Sequence, residues 1–268
     1  MPQVVPEFVR SARVSSSEET LASAVQHHGR GARSNRAGRF ERFTGSAFDD
    51  GWESLGELEP LRTSVRRERA KSIISRNDSP DLSFDQSINP YRGCEHGCVY
   101  CYARPTHALL GHSPGLDFET ILYAKENAAE LLERELARPS YRPKVIALGA
   151  VTDPYQPIER THQISRRVLE VLSRTNHPVG IVTKSALITR DIDILASLAE
   201  RGLVKVALSV TTLDRHVARK MEPRASTPAR RLGAIAALTA AGVPTTVMPA
   251  PIIPGLNDHE IEPILEAG

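Results

Sequence analysis

Residues 179–210 read VGIVTKSALITRDIDILASLAERGLVKVALSV, and this stretch sets the fold class that can be expected. The apolar run Val179–Thr183 predicts a buried strand. Asp191–Arg201 has helical periodicity and is followed by Gly202, a residue suited to end a helix. A second apolar run, Leu203–Val210, comes directly afterwards. A strand, a helix and a strand in this order predict two parallel strands joined by a crossover helix.

The same unit recurs on both sides of this stretch. The further elements predicted are the strands Val145–Leu148 and Val243–Pro249, the helix Gln163–Thr175, and a helix with Thr227 as its N-cap, Pro228 at its first position and Gly242 at its end. Repetition of the unit along the chain predicts an α/β fold with one parallel sheet.

Three upstream segments complete the pattern. Leu82–Ile88 predicts a short strand, Phe118–Lys125 an extended segment, and Glu126–Pro139 a helix with its termini. These elements give five parallel strands, and another helix begins near Asn257. A closed eight-stranded barrel does not fit in this length, so we expect an open or partial barrel. Its functional residues should lie at the carboxyl ends of the strands.

Every cysteine of the chain lies within eight residues, at Cys94, Cys98 and Cys101. Such a cluster cannot form a disulfide framework, and it is typical of metal binding or catalysis. Three thiolates can hold a [4Fe-4S] cluster and leave one iron without a protein ligand. The alternative is a zinc site completed by His96 or His107, although neither histidine has the usual zinc spacing.

The spacing Cys94-x3-Cys98-x2-Cys101, with Tyr100 before the third cysteine, resembles the signature of the radical S-adenosylmethionine (SAM) superfamily. The wider run from Asn89 to Arg104 resembles its branch related to spore photoproduct lyase, which is also called DNA repair photolyase-like. The resemblance extends over residues 70–268. It implies a partial (β/α)6 TIM-like barrel of parallel strands, whose last strand is expected beyond the end of this sequence.

The resemblance also implies the cofactors. The three cysteines would bind a [4Fe-4S] cluster, and its open iron would chelate SAM, which is cleaved reductively to a 5′-deoxyadenosyl radical. A flavodoxin or ferredoxin would supply the electron. The residues carried over by position are Tyr100, Thr152, Asp153, Lys184, Ser209 and Arg224 for SAM, and Tyr100 and Tyr102 for radical transfer.

Other interpretations of these strand-end residues stay open. Asp153 precedes a proline and could cap a turn, Lys184 could be an ordinary surface lysine, and the Ser209 hydroxyl could bond to backbone.

The sequence departs from the lyase branch at one functional position. The lyase is known for a further cysteine near the end of the second strand, which donates a hydrogen atom, but here Val151 occupies about that place. We therefore expect related radical initiation on a different substrate. Nucleic acid is one candidate, and a peptide, RNA or small molecule is the alternative. A structural metal-binding interaction protein is the non-enzymatic alternative.

The composition of the chain limits its possible partners and its location. The net charge is +2, and residues 1–80 hold 13 Lys and Arg against 11 Asp and Glu, so the remainder is neutral and does not by itself indicate nucleic-acid binding. No apolar stretch is long enough for a membrane span, and no signal peptide is visible. The cytoplasm is the expected location.

Residues 1–65 are predicted to form a largely irregular N-terminal arm before a core domain at 66–268. Arginines recur in the arm at every third position from Arg30 to Arg42, interleaved with Phe40 and Phe43. Three interpretations stay open: a solvated linker, docking of part of the arm on the barrel or a partner, and contact with nucleic acid through charge and stacking.

Overall fold

A computed structural model of the chain describes residues 29–32, 34–35 and 62–268. Most of the predicted N-terminal arm, including Phe40 and Phe43, lies outside these residues.

The strands are β1 (Ser64–Glu68), β2 (Ile74–Arg76), β3 (Gln86–Ile88), β4 (Tyr91–Arg92), β5 (Ile121–Lys125), β6 (Ile146–Leu148), β7 (Val179–Thr183), β8 (Val204–Ser209) and β9 (Thr245–Met248). The α-helices are α1 (Asp117–Thr120), α2 (Ala128–Leu136), α3 (Glu159–His162), α4 (Ile164–Arg174), α5 (Ile192–Glu200), α6 (Arg215–Met221), α7 (Pro228–Ala240) and α8 (Ile261–Ala267). Short 3-10 helices span Arg104–Leu110, Ala186–Asp191 and Asp258–Glu260.

The main sheet has six strands in the order β2-β3-β6-β7-β8-β9. The last five run parallel, and β2 pairs antiparallel with β3 at the edge. These five parallel strands are the five that the sequence predicts, so the parallel α/β architecture is confirmed. The glycine expected at the end of α5 is also confirmed, since Gly202 has a φ of +67°. Thr227 precedes α7 as predicted, but its hydroxyl makes no capping hydrogen bond.

Helices cover one face of this sheet. The predicted apolar face of α4, with Ile164, Val168 and Leu169, is fully buried, and so are Ile146 and Leu148 of β6. Side chains alternate between the two faces of a strand, so the residues between these buried positions point to the other face. On that face Ala147, Gly180 and Ala207 are small and partly exposed, and Val182 and Lys205 are exposed. The sheet therefore has one packed face and one open face among the described residues.

A second sheet of three strands, in the order β1-β5-β4, was not predicted. The extended segment expected at Phe118–Lys125 is correct only from Ile121, where β5 begins. Before it, α1 forms because Asp117 accepts from the backbone of Ser113 at 2.9 Å and Thr120 donates to the carbonyl of Leu116 at 2.9 Å. These local hydrogen bonds favour a helical turn over extension.

β1 crosses the domain boundary predicted between residues 65 and 66, and the division into two domains stays a prediction. Within the part of the chain that the structure describes, no helix is long and apolar enough to cross a bilayer.

Candidate active site

The cysteine loop, residues 93–101, begins directly after β4. Gly93 has a φ of +73°, and a Cβ atom there would lie 2.7 Å from the side chain of Leu122 and 2.8 Å from the carbonyl of Phe118. Glycine is thus required at the entry to the loop, both for its backbone conformation and for space. The amide of Cys94 then donates to the Phe118 carbonyl at 2.9 Å, which fixes the first cysteine against α1.

Two other segments hold the rest of the loop. The fully buried Gln156 accepts from the amide of Glu95 at 3.0 Å and donates to the carbonyl of Gly93 at 3.1 Å. The amide of Val99 donates to the carbonyl of Met221 at 2.9 Å. The cysteine loop is therefore tied to the chain after β6 and to the last residue of α6, at the carboxyl ends of the parallel strands.

The three thiols are free, with Cys94 and Cys98 buried and Cys101 partly buried. Burial raises the pKa of all three, to about 12 for Cys98, so that without a metal they stay protonated. Bound iron reverses this preference, because thiolates are the ligands and the metal supplies positive charge. Three soft donors on one glycine-containing loop fit an iron-sulfur cluster with one open iron.

The two histidines considered for a zinc site have other partners. Among the residues that the structure describes, no three His, Cys, Asp or Glu side chains converge on a point that could hold a single metal ion. Nδ1 of His96 lies 3.3 Å from the carboxylate of Asp153, and Nε2 of His107 donates to the carbonyl of Ile121 at 2.9 Å.

Asp153 lies at the strand ends as predicted, with its carboxylate already engaged. It accepts from the hydroxyl of Thr183 at 2.7 Å and the amide of Lys184 at 2.8 Å, besides the contact with His96. Burial opposes its ionisation, but the charge of His96 and these hydrogen bonds outweigh burial and hold the pKa of Asp153 below its usual value. The carboxylate thus connects the cysteine loop to the end of β7. The hydroxyl of Thr152 donates to the carbonyl of Tyr91 at 2.9 Å.

Lys184, Ser209 and Tyr100 meet beside this carboxylate. The ammonium of Lys184 donates to the hydroxyl of Ser209 at 2.6 Å and lies 5.5 Å from the centre of the Tyr100 ring. It also lies 3.4 Å from Oε1 of Glu222, which accepts from the hydroxyl of Tyr100. Three of the residues predicted from separate parts of the chain therefore form one polar group.

Glu222 is the centre of that group and was missed by sequence reasoning. It is buried, accepts from Thr211 at 2.6 Å, and pairs with the buried guanidinium of Arg231. Burial opposes its ionisation, yet the charges of Arg231 and Lys184 lower its pKa to about 2. One signal could have found the pair: Arg231 lies on the apolar stripe of α7, four residues before Ile235, where a charged side chain needs a buried partner.

Tyr102 and Arg224 lie apart from the group around Glu222. Tyr102 is 75% exposed, and its hydroxyl donates to the carbonyl of Ala150 just after β6. The guanidinium of Arg224 lies 3.1 Å from Glu95, on the cysteine loop itself. Their assigned roles in radical transfer and SAM binding stay predictions.

A depression of about 350 Å³ lies on the open face of the main sheet. Ala150, the partner of Tyr102, is part of its wall, so the depression adjoins the cysteine loop. Its floor comes from β6 to β9, and its lining residues are Ser83, Phe84, Val145, Ala147, Ala150, Gly180, Ile181, Val182, Lys205, Ala207 and Thr246. Small side chains predominate, which leaves an open space along this face of the sheet.

Comparison with protein families gives a match to the radical SAM superfamily over residues 88–268. An uncharacterised protein of Mycobacterium tuberculosis is 42% identical over 177 residues, which are 66% of this chain and 52% of that protein. An uncharacterised protein of Methanocaldococcus jannaschii is 27% identical over 192 residues, or 72% and 69% of the two chains. The chain spans about half the length of the mycobacterial relatives it matches.

Among solved structures, a spore photoproduct lyase variant aligns with a TM-score of 0.52 at 20% identity, covering 70% of this chain and 51% of the lyase. A second variant, with bound AdoMet and dinucleoside spore photoproduct, aligns with a TM-score of 0.52 at 18% identity, covering 70% and 51%. At this identity the likeness establishes a common fold.

Proposed function

Because the chain belongs to the radical SAM superfamily, we propose that it is an enzyme in which Cys94, Cys98 and Cys101 hold a [4Fe-4S] cluster and SAM binds the open iron. The observation that carries this proposal is the position of the three thiols, two buried and one partly buried, on a loop held at the carboxyl ends of the parallel strands, where Lys184 and Ser209 also lie. When bound, the cluster and SAM supply one-electron reductive cleavage and a carbon radical.

The residues around Glu222 would bind and orient SAM. We assign Lys184 to the SAM carboxylate, because its ammonium lies between Ser209, at the end of β8, and the ring of Tyr100 on the cysteine loop. Glu222, whose Oε1 lies 3.4 Å from that ammonium, holds it in place. Ser209 gives up or shares its hydrogen bond to Lys184 when SAM binds. Asp153 holds the cysteine loop against β7 through His96 and Lys184, which makes it a positioning residue in addition to its predicted contact with the SAM ammonium.

Tyr100 and Tyr102, both predicted to take part in radical transfer, lie in different surroundings. Tyr100 packs beside Lys184 and Glu222 and so belongs to the SAM site. Tyr102 lies between the cysteine loop and the depression on the open face. We propose that the substrate occupies this depression, where Tyr102 could relay a radical. The predicted contact of Arg224 with SAM would require its guanidinium to leave Glu95.

For the substrate we propose a nucleic acid. One of the fold relatives holds a dinucleoside spore photoproduct, and residues 62–71 of this chain carry five exposed cations against the single carboxylate of Glu68, which is paired with Arg92 at 2.8 Å. Thr63, within this segment, donates to Glu95 of the cysteine loop at 2.5 Å. A phosphate backbone lying along β1 would therefore pass close to the cluster. A base from a duplex would have to be extruded to reach the depression.

The proposal has two further parts, which concern the architecture of the chain and the supply of electrons. We propose that the main sheet is part of a (β/α)6 barrel, of which the five parallel strands are present, and that residues 66–268 form the core domain with residues 1–65 as an arm. A flavodoxin or ferredoxin is the proposed electron donor.

The test is anaerobic reconstitution followed by analysis of iron, sulfide and SAM products. About four irons per chain are expected, with 5′-deoxyadenosine formed when dithionite and SAM are added. Oligonucleotides carrying deuterated thymine lesions, and in parallel deuterated RNA and peptides, identify the substrate by transfer of label into 5′-deoxyadenosine. Stoichiometric zinc without SAM cleavage would instead establish a structural metal-binding protein, and label from peptides alone would reject a nucleic acid as the substrate.

A further inference from the structure

A short piece of the N-terminal arm crosses the cysteine loop. We call residues 29–32 and 34–35 the strap. The amides of Gly31 and Ala32 donate to the two carboxylate oxygens of Glu119 at 2.9 and 2.8 Å. The guanidinium of Arg30 donates to the backbone carbonyl of the same glutamate at 2.9 Å and to the hydroxyl of Thr63 at 2.9 Å. Part of the arm therefore docks on the core, as one of the sequence interpretations holds.

The strap and the loop approach each other through glycine. A Cβ atom on Gly31 would lie only 1.8 Å from the carbonyl oxygen of Gly97, which stands between the ligands Cys94 and Cys98. Gly97 has a φ of +66°, and a Cβ there would lie 2.8 Å from the carboxylate of Glu119. Neither position can hold a side chain without displacing backbone or breaking the hydrogen bonds of Glu119.

The carboxyl-terminal end of the strap also makes close backbone contacts with the core. The amide of Leu116 donates to the carbonyl of Ser34 at 3.3 Å, and a Cβ on Gly115 would lie 2.1 Å from that carbonyl oxygen. Asn35 exchanges two hydrogen bonds with Asp117, donating at 2.7 Å and accepting from its amide at 3.0 Å. Contacts at both ends of the strap distinguish it from a tail that touches the surface at one point.

Glu119 connects the strap to the rest of the cysteine loop. Its side chain is fully buried, and it forms an ion pair with Arg104 at 2.6 Å. Arg104 in turn donates to the carbonyl of Cys98 at 2.9 Å. One carboxylate thus binds the strap on one side and, through Arg104, a ligand residue on the other. An ionised buried carboxylate is stable only while such partners are present.

We propose that the strap is a structural part of the cluster site, and that Glu119 is the positioning residue that clamps it over the backbone of the cysteine loop. The strap supplies no metal ligand. Its role is to fix the segment between Cys94 and Cys98 and to keep water and dioxygen from the cluster at this side. This inference rests on the proposed function for its reference to a cluster, whereas the docking of the strap does not.

The first measurement uses the full-length apo protein, where no cluster is involved. Hydrogen exchange at the amides of Gly31 and Ala32 should be slow in the parent protein and fast in Gly31→Ala and Glu119→Gln. Gly233→Ala is the matched glycine control, because a Cβ on Gly233 of α7 meets no atom within 4 Å. Glu200→Gln, at an exposed position, is the control for the loss of a carboxylate. Unchanged protection in both strap variants would overturn the docking geometry.

The second measurement uses the reconstituted proteins. Loss of cluster absorbance in air should be roughly tenfold faster in Gly31→Ala and Glu119→Gln than in the controls, the lower end of what removing the support of a metal ligand costs. The EPR signal of the reduced cluster should broaden or shift in the same two variants. Strap variants that lose exchange protection but match the controls in cluster lifetime and EPR signal would overturn the role at the cluster. If the parent protein binds no iron, both the proposed function and the role of the strap at the cluster are wrong. The hydrogen-exchange result on the apo protein then still tests the docking of the strap.

Discussion

The ammonium of Lys184, directly after β7, lies 2.6 Å from the hydroxyl of Ser209, the last residue of β8. Two adjacent strand ends thereby place one cation and one hydroxyl within reach of the cysteine loop. A lysine in this position can bind a carboxylate by charge and hydrogen bonding together, a combination that contributes about 1.5–3 kcal/mol.

Replacement of this lysine should weaken SAM binding selectively. Lys184→Met is expected to lower the affinity for SAM by a factor of about 10 or more, because the carboxylate loses its cation, while the iron content stays at the parent level. Calorimetric titration of the reconstituted protein with SAM measures the effect. Lys144→Met, at an exposed surface position, is the control. Equal affinities in the two variants would show that the SAM carboxylate binds elsewhere.

Neutralising the acidic partner should affect stability. Glu222→Gln leaves the buried guanidinium of Arg231 without its counter-charge, and we expect the free energy of unfolding to fall by about 3–5 kcal/mol. Urea denaturation of the apo protein measures this. Adding Arg231→Met to Glu222→Gln should recover much of the loss, since the buried guanidinium is then no longer present without its counter-charge. A single variant as stable as the parent protein would show that the ion pair has little energetic weight.

Each cysteine should be needed for the cluster. Ala at Cys94, Cys98 or Cys101 is expected to reduce iron and sulfide to near background, because a cluster held by two thiolates is labile. Val99→Ala changes an exposed side chain in the same loop and should keep the full iron content. Circular dichroism of the apo proteins checks that the fold persists. A cysteine variant with normal iron and normal SAM cleavage would remove that residue from the ligand set.

Lys125 should make the free energy of unfolding depend on pH in the alkaline range. Its ammonium is buried and donates to the carbonyl of Asn89 at 2.8 Å, and burial, reinforced by the charge of Arg92, lowers the pKa of Lys125 from 10.5 to about 8. Between these two values the unfolded chain binds a proton that the folded chain does not. The free energy of unfolding should therefore rise with pH across this window, by at most about 3 kcal/mol.

Comparison with Lys125→Met isolates this contribution. Between about pH 8 and about pH 10.5, the free energy of unfolding of the parent apo protein should rise relative to that of the variant. Denaturation at several pH values in this range provides the measurement. A difference that stays constant with pH would mean that Lys125 titrates normally in the folded protein.

Local sequence patterns were sufficient for the sheet and the cysteine loop. Runs such as Val179–Thr183 are apolar over the length of one strand, and the helices between them carry their own periodicity and end signals, so each element could be recognised alone. The repetition then predicted a parallel sheet. Cys94, Cys98 and Cys101 are close in sequence, so their spacing alone predicts that they bind one metal cluster, and this stays a prediction.

The features that escaped prediction depend on contacts between distant segments. Glu222 and Arg231 lie on either side of a loop, and only the fold brings both to Lys184 and Tyr100. The sheet that pairs β1 with β5 joins residues more than fifty positions apart, and β1 has too many arginines for an apolar pattern. The crossing of Gly31 over Gly97 leaves no trace in sequence other than two glycines.

The open face of the main sheet has a further consequence. Ala147 and Gly180 are direct neighbours on β6 and β7, and Ala207 lies on the next strand, so this face owes its depth to methyl groups and hydrogen atoms where larger side chains could stand. Enlarging any one of them would narrow the space without touching the cysteines, Lys184 or Glu222. Under the proposed function, the residues that limit the size of the substrate are therefore separate from those that start a radical, and selection can alter the first set while leaving the second intact.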